Sequence, residues 1–551
     1  SLYQPEQIVK YGELTLRENQ IAYADPGFFR LFDFELVKGD KATCLSMPRQ
    51  VVITERIARK YFQDEDPIGK ILIFTGPYDK VVCEVTGVMK EMPSNSHIHY
   101  NFLISYKSLG QYLHDYWYKH EVYTYVLLDS PERKEEIEKA FPAMSEKYKT
   151  DEALKNKIWG VSLTPLADIH LKPQVGYEAE IKGNRTAMIA LIFAAIAILA
   201  IAWINYINLT VARSMERAKE VGVRRVIGAF RKQLVSQFLF EALVMNLVAL
   251  VLAVGLIELI LPYFNQLVSR TVTFSVWLTG YWWLLLLIVF VGGIFLSGYY
   301  PALALLNRKP ITLLKGKFLN SKSGEGTRKV LVVVQYTASM ILLCGTLIVF
   351  AQLNFMRNQS LGVKTDQTLV VKFPGRTEGM NTKLEAMKKA IARLPLVDTV
   401  TFSGAVPGEE VATFLSNRRK SDALKQNRLY EMLVCDPDYI DAYGLQLVAG
   451  RGFSEDYGDD VNKLVVNESA VRNLGIASNE EALGEEIEVE CTDAPMQIIG
   501  VVKDYHQQAL NKNYTPIMLI HKDKIGWLPQ RYISIVMKSG DPKELVSQVE
   551  E

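Results

Sequence analysis

The chain has 551 residues, more than a single hydrophobic core organises, so several domains are expected. Its 62 Lys+Arg and 61 Asp+Glu nearly cancel, which excludes nucleic acid as a partner drawn by net charge. A positive mean hydropathy beside a 22% charged fraction predicts a chain split between lipid-soluble and water-soluble parts.

In chain order, residues 1–185 come first, a stretch of alternating strands and helices. VVITERIARKYF (51–62) reads as a strand running into a helix. NSHIHYNF (95–102) carries His97 and His99. With no carboxylate or cysteine beside them, these two histidines read as a hydrogen-bonding turn before a strand rather than a metal site. Residues 186–212 then hold no Asp, Glu, Lys or Arg, and residues 238–262, 282–306 and 330–356 form three further apolar stretches. Crossing a bilayer takes about 20 mainly apolar residues, so each is expected to be a transmembrane helix. Asn205 and Asn208 are expected to hydrogen-bond to a neighbouring helix, and Glu241 and Glu258 to reach the interface. Residues 357–551 return to alternating strands and helices.

The segments between the spans set an orientation. Residues 213–232 carry seven Lys/Arg against Glu216 and Glu220, and residues 307–329 carry seven against Glu325. Residues 263–281 carry Arg270 alone. The positive-inside rule puts a coupling segment (213–237) and a linker (307–329) in the cytoplasm, and the short 263–281 loop and both large domains outside.

The outer regions repeat each other. YADPGFFRLFDFELVKGD (23–40) aligns with VCDPDYIDAYGLQLVAGR (434–451), and QVVITERIARKYF (50–62) with KLVVNESAVRNLG (463–475). CEVTGVMKEM (83–92) aligns with QIIGVVKDYH (497–506), and YTYVLLDSPERKEEIEKAF (123–141) with YISIVMKSGDPKELVSQVE (532–550). The fold class is therefore a multi-pass α-helical membrane protein with two α+β extracytoplasmic domains and an internal duplication. Unequal flanks around the two copies predict that the chain is a piece of a longer, eight-span protein, with the second domain incomplete.

Catalytic motifs are absent from the sequence: there is no GxxxxGK[ST], GxSxG or HExxH. No cofactor and no metal are expected. Cys344 lies in an apolar run and is expected to be a packing residue, while Cys44, Cys83, Cys435 and Cys491 leave their redox state open. The stretch ERAKEVGVRRVIGA (216–229) stands apart. As a helix it puts Arg213, Arg217, Glu220 and Arg224 on one face, with Glu220 and Arg224 a favourable i,i+4 pair. Met215, Ala218, Gly222 and Val226 form an opposite stripe, where Gly222 suggests the close approach of another backbone. Gly228 fits the left-handed position that ends the helix.

At these residues the chain resembles the MacB/FtsX family of bacterial ABC-transporter permeases. Arg217, Lys219, Glu220, Gly222, Arg224, Arg225, Gly228 and Ala229 match the family's cytoplasmic segment R-x-K-E-[IV]-G-[VI]-R-[RK]-x-[LI]-G-A. GYYPALALLNRKPITLLKG (298–316) resembles the close of its permease unit, and the DP, VVITERIARKYF, DPIGK and VTGV motifs resemble its periplasmic core domain. The resemblance implies a bacterial inner-membrane protein that is not itself an enzyme. It also implies mechanotransmission: a separate cytoplasmic ATPase dimer, which binds ATP and Mg, docks on 213–232 and moves the periplasmic domains. The expected cargo is hydrophobic or amphiphilic, such as a drug, peptide, lipid or lipoprotein. A periplasmic adaptor and outer-membrane channel are the partners expected of an exporter. The alternative is a signalling protein acting on a periplasmic cell-wall hydrolase.

Overall fold

The computed structural model describes residues 2–550 apart from 77–79, 94, 114–116, 118–121, 150–158, 172–182, 217, 269–271, 276–279, 300–301, 304–305, 307–321, 374–379, 412, 423–426, 459, 491, 527, 529 and 539. The chain divides into two compact units, Ser1–Lys182 with Asn358–Glu551, and Gly183–Arg357.

The first unit contains two lobes. Lobe 1 runs β1 (Leu2–Tyr11), β2 (Leu14–Ala24), α1 (Phe28–Leu31), β3 (Leu36–Lys38), β4 (Gln50–Thr54), α2 (Glu55–Phe62), β5 (Ile71–Thr75), β6 (Lys80–Met89), β7 (Phe102–Ser105) and α3 (Arg133–Tyr148). Its sheet order is β3-β6-β4-β7-β2-β1-β5, and β5 also pairs with β6, so the sheet closes on itself. Closure removes the exposed edges that an open sheet must protect.

Lobe 2 begins with β8 (Thr368–Lys372), α9 (Met380–Ile391) and β9 (Val397–Ser403), numbering the helices of the second unit α4 to α8. It continues with β10 (Phe414–Arg419), β11 (Arg428–Cys435), α10 (Tyr439–Ala442), β12 (Leu447–Gly450), β13 (Lys463–Asn467), α11 (Glu468–Asn473), β14 (Glu486–Glu488), β15 (Met496–Val502), β16 (Ile517–His521), β17 (Tyr532–Met537) and α12 (Pro542–Glu550). Strands β10 to β16 pair in the same order and sense as β1 to β7. Lobe 2 adds β17 between β9 and β8.

The same local chemistry builds both lobes. Thr54 caps α2 by accepting from the Ile57 N–H, and Asn467 caps α11 by accepting from Ala470. The register slips opposite Gly87 in one sheet and opposite Gly500 in the other. Each of these glycines lies against a second one at positive φ, Gly39 (96°) and Gly450 (68°). A Cβ on Gly450 would sit 2.1 Å from the Ile499 carbonyl oxygen and one on Gly39 2.5 Å from that of Thr86, so both crossings require glycine.

The match between 123–141 and 532–550 holds for the helices and fails for the strands. Tyr532–Met537 is a strand with neighbours on both sides, whereas 123–128 is not a strand. Val126 and Leu127 are 57% and 77% exposed there. Among the described residues nothing in lobe 1 takes the places of β8 and β9, and sequence similarity reports the strand without its partners.

The second unit consists of α4 (Arg185–Glu216), α5 (Ala218–Val226), α6 (Arg231–Val268), α7 (Trp282–Ile294), a π turn (Phe295–Tyr299) and α8 (Lys322–Asn358). Four stretches, Arg185–Thr210, Arg231–Val268, Trp282–Tyr299 and Lys329–Asn358, are long and apolar enough to cross a membrane. The helices outrun the expected 186–212, 238–262 and 330–356, because helical hydrogen bonding continues into the charged flanks. The third differs more. Its α-helix gives way at Ile294 to the π turn, and residues 302–303 and 306 are helical again.

That turn packs closely. A Cβ on Gly298 would lie 3.0 Å from the Ala242 Cβ and 3.1 Å from the Phe238 oxygen, and one on Gly293 would meet Trp203 Nε1 at 3.1 Å. Asn246 Nδ2 donates to Ser297 Oγ at 3.2 Å, so this helix-to-helix bond forms at a residue that sequence reasoning passed over, while Asn205 is exposed. Cys344 is exposed on α8 rather than packed, a correction to the sequence reading: among the described residues nothing covers it. Cys44, Cys83 and Cys435 are buried, and Cys491 lies outside the described residues.

Candidate functional site

Helix α5 occupies nine residues between two long apolar helices. The expected i,i+4 pair forms: Arg224 Nη2 donates to Glu220 Oε1 at 2.6 Å. Arg224 Nη1 also donates to Gln237 Oε1 at 2.7 Å, which ties α5 to the first turns of α6. Glu220, Arg224, Gln237 and Glu241 line a depression of about 200 Å³ whose floor includes Val221 and Phe238. On the other side Arg225 Nη1 donates to the Leu306 carbonyl at 3.1 Å. Ala218 and Val221 are buried with Leu234, Phe238, Ala302 and Leu306 in a small apolar cluster.

Gly228, at φ 102°, closes the helix. Ala229 N–H reaches the Arg224 carbonyl at 2.9 Å and Gly228 N–H that of Arg225 at 3.3 Å, the two bonds of a Schellman motif. The turn leads into α6, whose start at Arg231 takes the last seven residues of the expected 213–237 segment.

One residue of the predicted four-residue stripe is misplaced, and the side chain of Met215 lies outside the described residues. Ala218 and Gly222 are buried, but Val226 is exposed, because Leu234 and Phe238 of α6, with Ala302 and Leu306, meet the helix around Val221. Val223, Val226, Ile227 and Phe230 instead form an exposed apolar group, with Ile227 80% and Phe230 74% accessible. Sequence reasoning missed this group. Its i, i+3, i+4, i+7 spacing was visible, but the same spacing marks a buried face just as well. Arg217 lies outside the described residues, as do the side chains of Arg213 and Lys219 and the linker residues 307–321.

Elsewhere the chemistry is structural. His97 shares a 3.0 Å hydrogen bond with the Tyr125 hydroxyl in a bend before β7, and burial pushes its pKa down. Among the described residues, no three His, Cys, Asp or Glu side chains are grouped to hold a metal.

Comparison with known proteins gives two family matches. The model for the MacB-like periplasmic core domain matches residues 2–144 and 337–551, well over half of the chain. The model for the FtsX-like permease C-terminal region matches residues 192–310. The macrolide export ATP-binding/permease protein MacB of Campylobacter jejuni is 32% identical over 133 residues, 24% of this chain and 20% of that protein. Its namesake from Neisseria meningitidis is 25% identical over 244 residues, 44% of this chain and 33% of that protein. The chain thus spans about a fifth to a third of the length of the curated relatives it matches. The solved periplasmic region of MacB from Actinobacillus actinomycetemcomitans is 17% identical, with 35% of this chain and 85% of that one covered, at a TM-score of 0.25.

Proposed function

Because the chain belongs to the MacB/FtsX family of ABC-transporter permeases, we propose that it converts ATP turnover by a separate cytoplasmic ATPase into movement of its periplasmic lobes. In this reading α5 and its flanks receive the ATPase dimer, the chain itself catalyses nothing, and ATP and Mg stay on the partner. The observation that carries it is the exposed Val223, Val226, Ile227 and Phe230 group beside the Glu220–Arg224 pair. Apolar anchors rimmed by fixed charges suit a protein partner, and a loop that only set topology would need neither the helix nor the Schellman turn.

The four apolar helices are taken to cross the bacterial inner membrane, with 213–232 and 307–329 in the cytoplasm and 263–281 and both lobes in the periplasm. The charge asymmetry of the connecting segments supports this orientation. The shared strand order and the twofold match to one domain model support descent of both lobes from one duplicated domain. The cargo is a hydrophobic or amphiphilic molecule handled on the periplasmic side.

Co-reconstitution with the partner ATPase tests the docking role. Ile227→Asp with Phe230→Asp, and separately Glu220→Arg with Arg224→Glu, are expected to lower stimulated ATP turnover roughly tenfold or more while insertion persists. Unchanged stimulation in both variants would refute it. Impermeant labelling tests the orientation: cysteines placed in 131–150 and 410–425 should react from the periplasm, and one at residue 219 should not.

A further inference from the structure

Lobe 1 contains a charged cleft that the coupling function does not use. Helix α2 buries Ile57, Tyr61 and Phe62 in the lobe, and this anchoring turns Arg56 and Lys60 outward on one face. Like charges at i,i+4 oppose helix formation, so the repulsion within this pair works against the eight-residue helix that carries it. Arg17 of β2 joins them, and the three cations line a cavity of about 620 Å³ with Asn101, Glu6 and Glu18.

Its geometry is fixed from below. Lys60 Nζ lies 2.7 Å from Glu18 Oε1, which is buried and also accepts from the Tyr61 hydroxyl at 2.9 Å. Arg56 Nη2 donates to the buried Asn101 Oδ1 at 2.7 Å, and its Nε is 3.8 Å from Glu91. Arg17 Nη2 is 2.5 Å from Glu6, which Lys372 of lobe 2 also approaches at 3.4 Å. Four cations thus face three carboxylates, and each guanidinium has further N–H groups to offer an anion.

Lobe 2 supplies the control. Its matching helix α11 follows the same strand and the same kind of cap, yet it has Ser469 where lobe 1 has Arg56 and Asn473 where lobe 1 has Lys60. The fold therefore forms without the basic pair. We propose that the Arg17–Arg56–Lys60 cleft is a binding site for a phosphate-type oxyanion, either free or as the head group of an amphiphile. This inference stands independently of the ATPase-docking reading.

Titration calorimetry on the full chain in a neutral detergent tests it, with inorganic phosphate and hexyl phosphate as separate probes. Saturable binding of both, or of phosphate alone, identifies a free-anion site, and binding of hexyl phosphate alone identifies a head-group site. Arg56→Ser with Lys60→Asn, the lobe 2 residues, should weaken binding at least about tenfold and also lower thermal unfolding, because buried Glu18 loses its counter-ion. Arg17→Gln is a second variant should that pair fail to fold. Binding of neither probe, or equal affinity in the folded variants, would overturn the proposal.

Discussion

Asp25 and Asp436 open the same Asp-Pro turn in two lobes of the same strand order, yet Asp25 is exposed and Asp436 is fully buried. In lobe 1 the carboxylate accepts from the Gly27 N–H at 2.7 Å. In lobe 2 it accepts from Lys388 Nζ at 2.6 Å, Thr401 Oγ1 at 2.5 Å and the Phe402 N–H at 3.0 Å. Burial alone would push the Lys388 pKa down, but the charges of Asp436 and Asp438 outweigh it and hold the ammonium above its usual range. Lys388 stands on α9 and Thr401 on β9, for which lobe 1 has no counterpart among the described residues. A repeated motif thus repeats its turn, while its electrostatics are set by whatever packs on top.

The comparison is broken most severely at this cluster. Lys388→Met should destabilise lobe 2 by about 3–5 kcal/mol, because it leaves a buried charge without its counter-ion. Asp25→Asn should cost lobe 1 about 1 kcal/mol or less, the worth of one exposed hydrogen bond. Urea unfolding combined with hydrogen exchange of each lobe measures both. Equal effects would remove the distinction between the two carboxylates.

A second contrast lies at the matched positions Ile535 and Val126. Ile535→Asp should cost about 4 kcal/mol by placing a charge within a fully covered strand. Val126→Asp should stay within about 0.5 kcal/mol, since the side chain is already wet. Proteolytic susceptibility of the two lobes would report the difference.

Titration separates the lobes next. Burial raises the Glu431 carboxyl to about 7, despite the hydrogen bond from Gln508 Nε2, and lobe 1 has the neutral Gln20 at the matched place. A folded pKa above the unfolded value of 4.5 means that the native state holds the proton longer. Lobe 2 should therefore be most stable below about pH 4.5 on this group's account, and lose roughly 3 kcal/mol as pH rises through 7. Glu431→Gln should flatten the urea midpoint between pH 5 and pH 8.

The caps should differ least. Thr54→Ala should cost about 1 kcal/mol. Asn467→Ala should cost about 2 kcal/mol, because the buried amide also donates to the Thr515 carbonyl and accepts from the Ile517 N–H. Thermal unfolding of the two single variants would rank them.

What the sequence made legible follows the range of each interaction. The Glu220–Arg224 pair, the Gly228 terminus and the strand–helix units ending at Phe62 and Asn473 depend on residues a few positions apart. The side of α5 that is covered depends on Leu234, Phe238, Ala302 and Leu306, so Val226 could not be placed from its own segment. Asp436 likewise owes its burial to Lys388, 48 residues earlier. The exposed apolar group at 223–230 was hidden for a different reason: periodicity tells which residues share a face, not whether that face is covered.

The seam between Phe238–Asn246 and Gly293–Gly298 sets a limit on how this membrane unit can work. Where a single added methyl would touch backbone atoms at 3.1 and 3.2 Å, no acyl chain and no file of water fits. Any bulky molecule passing through this unit would have to run elsewhere than along this seam.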